Sequence, residues 1–311
     1  MTTPTRRERI EGGLLGLLIG DALGVPYEFH GPDQIPSADK IELTPPPGFD
    51  RAYPGVPPGT WSDDGALALC LLDSLLEQNR FDADDFGQRL VRWYAEGYLA
   101  VDGKVFDVGN ATASGIGAIR AGVPPLEAGP RGAYDCGNGA LMRVLPLALW
   151  HQGTDGELVR DAQQQSCPTH GHLRSQVCCA LYVLWARRVL EESDAPWDEA
   201  VRTLRVLYRG DPQAAKELEE NIRPDDPMPG TGSGYVVDCL RSARWCVAQG
   251  DYTQTVRAAI RLGNDTDTTA YVAGGIAGLR DGIGSIPPRW IDALRGKSLY
   301  QPLLERLLAN Q

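Results

Sequence analysis

The segment WSDDGALALCLLDSLLEQ (61–78) joins a polar, acidic head to an apolar stripe with helical spacing. The stripe follows the i, i+4, i+5, i+8 pattern of a buried helix face and consists of Leu67, Leu71, Leu72, Leu75 and Leu76. Runs with the period of two that is typical of strands, bounded by turn residues, are hard to find anywhere in the chain. The sequence therefore predicts an all-α protein.

Similar apolar spacing predicts helices along most of the remaining chain. They cover roughly 8–24, 82–99, 111–122, 139–151, 157–166, 172–191, 197–209, 235–248, 252–263 and 267–280. Two Pro/Gly-rich stretches, 43–61 and 221–234, cannot be helical and are predicted to be loops. Neither resembles a flexible Gly/Ser linker, and no long repeat is apparent, so we expect residues 1–311 to form a single domain.

The composition is that of a soluble globular protein with an acidic surface. Of the 311 residues 42% are hydrophobic, and 41 acidic against 30 basic residues give a formal net charge of −11. An acidic surface repels phosphate backbones, so no nucleic-acid partner is expected. Seven cysteines without a C-x-x-C pair indicate reduced thiols in a cytoplasmic protein. The apolar run LLGLLI (14–19) is too short for a membrane span, and the acids around it disfavour a signal peptide.

Two acidic pairs stand directly before predicted helices, and each has two interpretations. Asp63 and Asp64 precede the helix that opens at Ala66, and Asp265 and Asp267 precede another apolar helix. Taken alone, each pair suits the positive end of a helix dipole and caps free N–H groups. If the two helices are neighbours, four carboxylates converge and must take up protons or bind cations. Oxygen ligands select Mg²⁺, Mn²⁺ or Ca²⁺, although the spacing does not fit a twelve-residue calcium loop.

A third acidic segment, GDALGVPYE (20–28), closes the apolar N-terminal helix. It is also consistent with a glycine-terminated helix that exposes its acids. However, Asp21 lies one turn from Leu17 and Leu18, where it would interrupt an apolar face. A buried carboxylate has to be paired or liganded, so this segment strengthens the prediction of a metal site.

Seven short segments occur in a characteristic order. They are GLLIGDALGVPYE (16–28), WSDDGALA (61–68), DVGNAT (107–112), GNGALMR (137–143), THGH (169–172), GSGYVVD (232–238) and GNDTDTTA (263–270). Each is weak alone, but together they make the chain resemble the ADP-ribosylglycohydrolase family over about residues 12–285. The resemblance implies a compact orthogonal bundle of many helices with two Mg²⁺ or Mn²⁺ ions in a cleft. It also implies cleavage of the bond between ADP-ribose and an acceptor.

The resemblance assigns roles to individual residues by motif position. The implied metal ligands are Ser62, Asp63, Asp64, Asp265, Asp267 and Thr268. Glu28 would lie on a flap beside the ions, and either Glu28 or Asp64 would manage the catalytic proton. The implied substrate-binding residues are Asp107, Gly109 and Asn110 at the ribose, Gly137, Asn138, Gly139, Met142 and Arg143 at the diphosphate, His170 near the ADP-ribose, and Tyr235 at its distal part.

Two positions depart from the usual family pattern. Ser62 stands where the first metal motif usually has Thr, which keeps the hydroxyl ligand, and Asn264 stands where the second more often has Gly. Neither change removes a ligand oxygen, so we expect an active enzyme.

The expected activity is metal-dependent hydrolysis through a transition state that resembles an oxocarbenium ion. The expected substrate is ADP-ribosyl-arginine on a protein, so that the enzyme reverses mono-ADP-ribosylation as a cytoplasmic monomer without a membrane partner. The alternatives within the class are hydrolysis of ADP-ribosyl-serine, O-acetyl-ADP-ribose or another small ADP-ribose conjugate. Outside it, a non-catalytic ADP-ribose-binding protein and a two-metal nucleotide phosphohydrolase stay open.

Overall fold

The computed structural model describes residues 3–310, and helices form most of this part of the chain. The α-helices are α1 (Arg6–Gly24), α2 (Asp63–Gln78), α3 (Ala83–Glu96), α4 (Asn110–Arg120), α5 (Pro125–Ala128), α6 (Gly139–Met142), α7 (Leu145–Trp150), α8 (Asp155–Ser166), α9 (Leu173–Leu190), α10 (Pro196–Leu207), α11 (Pro212–Lys216), α12 (Val236–Val247), α13 (Tyr252–Arg261), α14 (Thr266–Asp281), α15 (Pro288–Ala293) and α16 (Lys297–Ala309). A π-helical segment, Glu217–Ile222, follows α11. Within residues 3–310 there is no β-strand, so the all-α prediction is confirmed.

Two parts of the predicted helix pattern were wrong. The stretch predicted as one helix, 139–151, is two helices, because Pro146 lacks the N–H group that a continuous helix would need there. The last 30 residues carry α15 and α16, which the periodicity did not predict. Pro302 lies inside α16, where a proline argues against a helix, so the apolar spacing of this segment was not read as helical. Leu303 and Leu307 are nevertheless buried and pack α16 against α1 and α2.

Helices α1 and α14 run antiparallel with their backbones almost in contact. The glycines that permit this recur every fourth residue of α1, at Gly12, Gly16, Gly20 and Gly24. A Cβ atom on Gly20 would lie 2.3 Å from the carbonyl oxygen of Ala270, and one on Gly24 would lie 2.3 Å from the Cα of Asp267. The close approach sets the first turn of α14, with its acidic residues, against the end of α1 that leads to Glu28.

Helix α2 is tied to the same pair of helices by one buried carboxylate. Asp21 in α1 is fully buried and accepts hydrogen bonds from the backbone N–H groups of Ser62 (2.9 Å to Oδ1) and Gly65 (2.9 Å to Oδ2). Burial raises the pKa of Asp21 to about 8, against the opposite effect of these hydrogen bonds. The predicted need of Asp21 for a partner is thus confirmed, and the acidic head of α2 is anchored to α1.

The two Pro/Gly-rich stretches are irregular, as predicted, except that the second one begins only after Ile222. The first loop is fastened at its start, where the hydroxyl of Tyr27 donates to the carbonyl of Glu42 (2.9 Å). The carboxylate of Glu42 in turn accepts from Arg257 and from the indole N–H of Trp290. The start of the loop is therefore fixed on the scaffold.

The stretch Arg6–Tyr27 is long and apolar enough to cross a membrane by length and composition alone, but nearly all of it is buried inside the fold. The core helix of a soluble protein passes the same test, so this is weak evidence for a span. All seven cysteines are free and buried.

Replacing Gly20 by Ala should destabilise the protein because the new Cβ would meet the backbone of α14. We expect the free energy of unfolding to fall by about 1–3 kcal/mol, measured by denaturant titration. The matched control is Gly117→Ala in α4, where a Cβ meets nothing within 4 Å. That change should raise stability by about 0.5–1 kcal/mol because glycine disfavours helices. Equal effects at both sites would contradict the close packing.

Candidate active site

A polar cavity of about 420 Å³ opens where the first turns of α2, α4 and α14 come together. Its lining consists of Glu28, Asp63, Asp64, Asp107, Gly109, Asn110, Ala111, Thr112, Tyr134, Asp135, Gly137, Asn138, Gly139, Met142, His170, Gly234, Asp265 and Thr268. Helix N-termini carry partial positive charge and free N–H groups, which favour anionic groups nearby. The cavity, which we call the cleft, thus combines acidic side chains with backbone that suits a phosphate.

The acidic side chains of the cleft form a cluster of the kind that holds a cation. Ligand oxygens of Glu28, Asp265 and Asp267 lie within 4.8 Å of one another. Four buried carboxylate oxygens in the cluster and next to it have no hydrogen-bond partner. They are Glu28 Oε2, Asp64 Oδ2, Asp265 Oδ1 and Asp267 Oδ2. Buried polar atoms are normally satisfied, so these oxygens fit cation ligands.

Each aspartate of this set uses one oxygen for orientation and leaves the other free. Asp64 accepts from the Thr268 hydroxyl through Oδ1 (3.4 Å), and Asp267 accepts from the Thr268 N–H through Oδ1 (2.8 Å). Asp265 accepts from the Asn138 amide through Oδ2 (2.8 Å). The free oxygen is in each case the unpartnered one. The protein therefore fixes the direction of the carboxylates in advance.

Burial of so many acids in one place changes their protonation. Burial raises the pKa values of Asp63, Asp64 and Asp267 well above their usual range, and repulsion between the carboxylates adds to the effect. Burial, followed by the charges of Asp107 and other acids, raises the pKa of Glu28 to about 10. The raised pKa values favour the protonated form of Glu28, Asp63, Asp64 and Asp267, and a divalent cation would compete with these protons.

Ser62 begins α2 as its N-cap. Its hydroxyl oxygen accepts from the Asp64 N–H at 3.2 Å, and the residue is buried beside the cluster. Ser62 thus caps the helix directly before the predicted ligands Asp63 and Asp64, but it is not among the residues that line the cleft.

Most of the predicted nucleotide residues line the same cleft, and one of them, Asn138, contacts Asp265 of the cluster directly. Residues 137–139 form the turn into α6, and a Cβ on Gly139 would lie 2.7 Å from Cε1 of His170. Glycine is therefore required where the turn passes the imidazole. Burial, with a smaller effect from the Arg143 charge, lowers the pKa of His170 to about 3, so its ring is neutral. Its Nδ1 is 2.8 Å from the hydroxyl of Thr169.

Two residues predicted to bind substrate do not line the cleft. Arg143 is fully buried behind it, where its guanidinium donates to the Gly139 carbonyl (3.2 Å), the Thr169 hydroxyl (2.7 Å) and Gln165. The structure thus places Arg143 as a support for the glycine turn, without exposure to a phosphate. Tyr235 lies at the rim, 40% exposed, and its hydroxyl accepts from Arg174 (3.1 Å).

Several residues in or beside the cleft were not predicted from the sequence. Tyr53, from the first Pro/Gly-rich loop, donates its hydroxyl to Oδ1 of Asp107 (2.5 Å). Tyr134 is fully exposed at the mouth, and Asp135 and Gly234 complete the lining. Irregular loops have no periodicity that reveals which way a side chain points. Of the missed lining residues, Ala111 and Thr112 lie inside the DVGNAT segment and Gly234 lies inside the GSGYVVD segment, so only these carried a signal.

The chain matches the family model of the ADP-ribosylglycohydrolases over residues 2–311 and therefore belongs to that family. It is 32% identical to the ADP-ribosylarginine hydrolase Tri1 of Pseudomonas putida, over 99% of this chain and 80% of that protein. It is 28% identical to the ADP-ribosyl-[dinitrogen reductase] glycohydrolase of Rhodospirillum rubrum, over 94% and 92% of the two chains. A solved structure named ADP-ribosylglycohydrolase-related protein complex superposes with a TM-score of 0.76 at 31% identity, over 98% and 97% of the chains. The protein is accordingly a glycohydrolase.

The stability of the cation-free protein should fall as the pH rises. Each acid with a raised pKa keeps its proton in the folded state, whereas the unfolded chain releases it above about pH 4. This difference lowers the free energy of unfolding by up to about 1.4 kcal/mol per pH unit for each such acid. We expect a lower Tm in EDTA at about pH 8.5 than at about pH 6, and a smaller loss with Mg²⁺ or Mn²⁺, which bind the ionised acids. Asp267→Asn removes one such acid and should make the decrease in Tm over this pH interval smaller. A cation-free protein that gained stability over this interval would contradict the raised pKa values.

Proposed function

We propose that the protein hydrolyses the glycosidic bond between ADP-ribose and arginine side chains of proteins, with two divalent cations, Mg²⁺ or Mn²⁺, as cofactors. The observation that carries the proposal is the set of unpartnered, pre-oriented carboxylate oxygens in the same cleft as a glycine turn. The first feature suits hard cations, and the second suits a diphosphate.

Arginine is supported as the acceptor by the names of the relatives. Two of them, from Pseudomonas putida and Serratia proteamaculans, are ADP-ribosylarginine hydrolases. Glu28, within the cluster, and Asp107, in the same lining, also offer carboxyl oxygens to which a guanidinium leaving group can donate. Another ADP-ribose conjugate is the second candidate, favoured by 26% identity to the ADP-ribosylhydrolase ARH3 of Danio rerio over 96% of this chain and 90% of that one.

The proposed ligand set is Ser62, Asp63, Asp64, Asp265, Asp267 and Thr268, with Glu28 at its edge. When bound, the cations would hold the ribose hydroxyls, activate a water and offset charge in the transition state. Their charge would also offset part of the acidity of the cleft, which would then accept the anionic diphosphate.

The residues of the chain would then divide the remaining tasks. The turn at 137–139 brings backbone N–H groups close to the diphosphate, and Arg143 holds this turn in shape from behind. Neutral His170 and the amide of Asn110 offer hydrogen bonds to the sugar without adding charge. The hydroxyl of Thr268 donates to Asp64 and orients it as a member of the proposed ligand set. We therefore assign the catalytic proton to Glu28 on the flap.

Incubation with ADP-ribosyl-arginine and ADP-ribosyl-serine peptides tests the proposed activity. We expect free ADP-ribose from the arginine peptide, loss of activity in EDTA, and recovery with Mg²⁺ or Mn²⁺. Cleavage of the serine peptide alone would replace the proposal by the second candidate. Binding of ADP-ribose without turnover would indicate a non-catalytic protein, and release of phosphate would indicate a phosphohydrolase.

The roles of Glu28 and Asp267 can be separated by Glu28→Gln and Asp267→Asn. Asp267→Asn should raise the cation concentration for half-maximal activity more than about tenfold, because it removes an anionic ligand oxygen. Glu28→Gln should lower kcat by about 10²–10⁴-fold with a smaller effect on cation affinity, because it removes a proton carrier. Calorimetric cation titration and single-turnover rates measure the two effects.

Asp39→Asn, the same chemical change at an exposed position, is the matched control and should alter neither quantity. Unchanged turnover and cation affinity in Asp267→Asn would refute the ligand assignment. Equal loss of cation affinity in both cleft variants would make Glu28 a ligand as well.

A further inference from the structure

Four non-glycine residues around one side of the cleft have left-handed backbone conformations. Their φ angles are 62° at Phe29, 50° at Tyr53, 58° at Asp107 and 62° at Asn264. This region disfavours most residues with a Cβ, above all aromatic ones, although Asn and Asp adopt it with little strain. The strain therefore lies at Phe29 and Tyr53, and it persists only where the surroundings impose it. Its concentration next to Glu28 therefore calls for a functional reason.

The conformation of Phe29 is imposed by hydrogen bonds between the flap and the loop before α14. Its N–H donates to the carbonyl of Asn264 (2.8 Å), and the N–H of Asn264 donates to the carbonyl of His30 (2.7 Å). Phe29 is thus fixed between two backbone bonds, immediately beside Glu28. The same bonds turn its side chain outward.

The result is an aromatic surface at the edge of the cleft, in which Phe29 is exposed and Tyr53 and Phe106 are half-buried. The Phe29 ring is 70% exposed and its centroid lies 5.8 Å from that of Tyr53, which lies 5.1 Å from that of Phe106. We call these three rings the aromatic shelf. The shelf adjoins the carboxylates of Glu28 and Asp107, since Phe29 and Phe106 are their chain neighbours and Tyr53 donates to Asp107.

Core packing does not explain a strained phenylalanine that is mostly in solvent. An aromatic face next to carboxyl oxygens is a good site for a planar cation, because guanidinium groups stack on rings and donate hydrogen bonds to such oxygens. The glycine turn at 137–139 already serves the nucleotide, so the shelf is free to take the group on the other side of the scissile bond.

We propose that the aromatic shelf is the acceptor subsite, in which Phe29 stacks on the guanidinium of the modified arginine. The inference rests on the proposed function and names Phe29 as a residue that determines specificity for the acceptor. It assigns no part in the nucleotide subsite to the shelf.

The test compares Phe29→Asn with Phe29→Tyr. Asparagine adopts the left-handed conformation with little strain but has no ring, whereas tyrosine keeps the ring. We expect Phe29→Asn to lower kcat/KM for an ADP-ribosyl-arginine peptide about five- to twentyfold, mainly through KM, and Phe29→Tyr to stay within about twofold of the parent protein. Inhibition by free ADP-ribose, which has no acceptor, should be unchanged in both, and the Tm of Phe29→Asn should not fall.

The outcomes separate this inference from the proposed function. Unchanged kcat/KM in Phe29→Asn, or equal losses in kcat/KM and in inhibition by ADP-ribose, would overturn the acceptor subsite while the hydrolase stands. A parent protein that cleaves a serine conjugate but no arginine conjugate would overturn the guanidinium as its occupant. A parent protein that cleaves neither would refute the proposed function, and the acceptor subsite with it.

Discussion

The contact between α1 and α14 is the constraint on which the cleft depends. Because Gly20 and Gly24 have no side chains, the start of α14 lies directly against the end of α1, and this sets Asp265 and Asp267 beside Glu28. Asp21, on the same stretch of α1, accepts hydrogen bonds from N–H groups at the start of α2. These bonds bring Asp63 and Asp64 to the cleft. Carboxylates far apart in sequence thus meet because one helix organises the two others.

Burial of the acidic cluster lowers the stability of the fold and leaves carboxylate oxygens available for chemistry. Several acids are buried near one another, where each disfavours ionisation of the next, and the fold tolerates this because the hydrogen bonds of Thr268 and Asn138 satisfy one oxygen of each of three aspartates. The remaining oxygens are left to a cation. The neighbouring strained backbone at Phe29 is likewise held in place by other parts of the fold, through hydrogen bonds with the loop before α14.

The sequence predicted the helices and the acidic cluster well because both leave local patterns. Apolar spacing marks α2 and α14, and acids at their first turns mark the cleft. It failed where the outcome depends on packing. Arg143 follows the glycine turn in sequence, but the fold points its guanidinium inward to Gln165 and Thr169. Tyr53 donates to Asp107 from a loop whose sequence has no periodicity. Helix α16 was not predicted because it contains Pro302.

The division of each aspartate into a fixed and a free oxygen has a kinetic consequence. A cation at the proposed site would leave or enter without breaking the hydrogen bonds from Thr268 and Asn138, because these bonds do not involve the free oxygens. Ion exchange would then involve water and protons but no rearrangement of the fold. Catalytic output would follow the free divalent ion concentration of its surroundings on the time scale of that exchange.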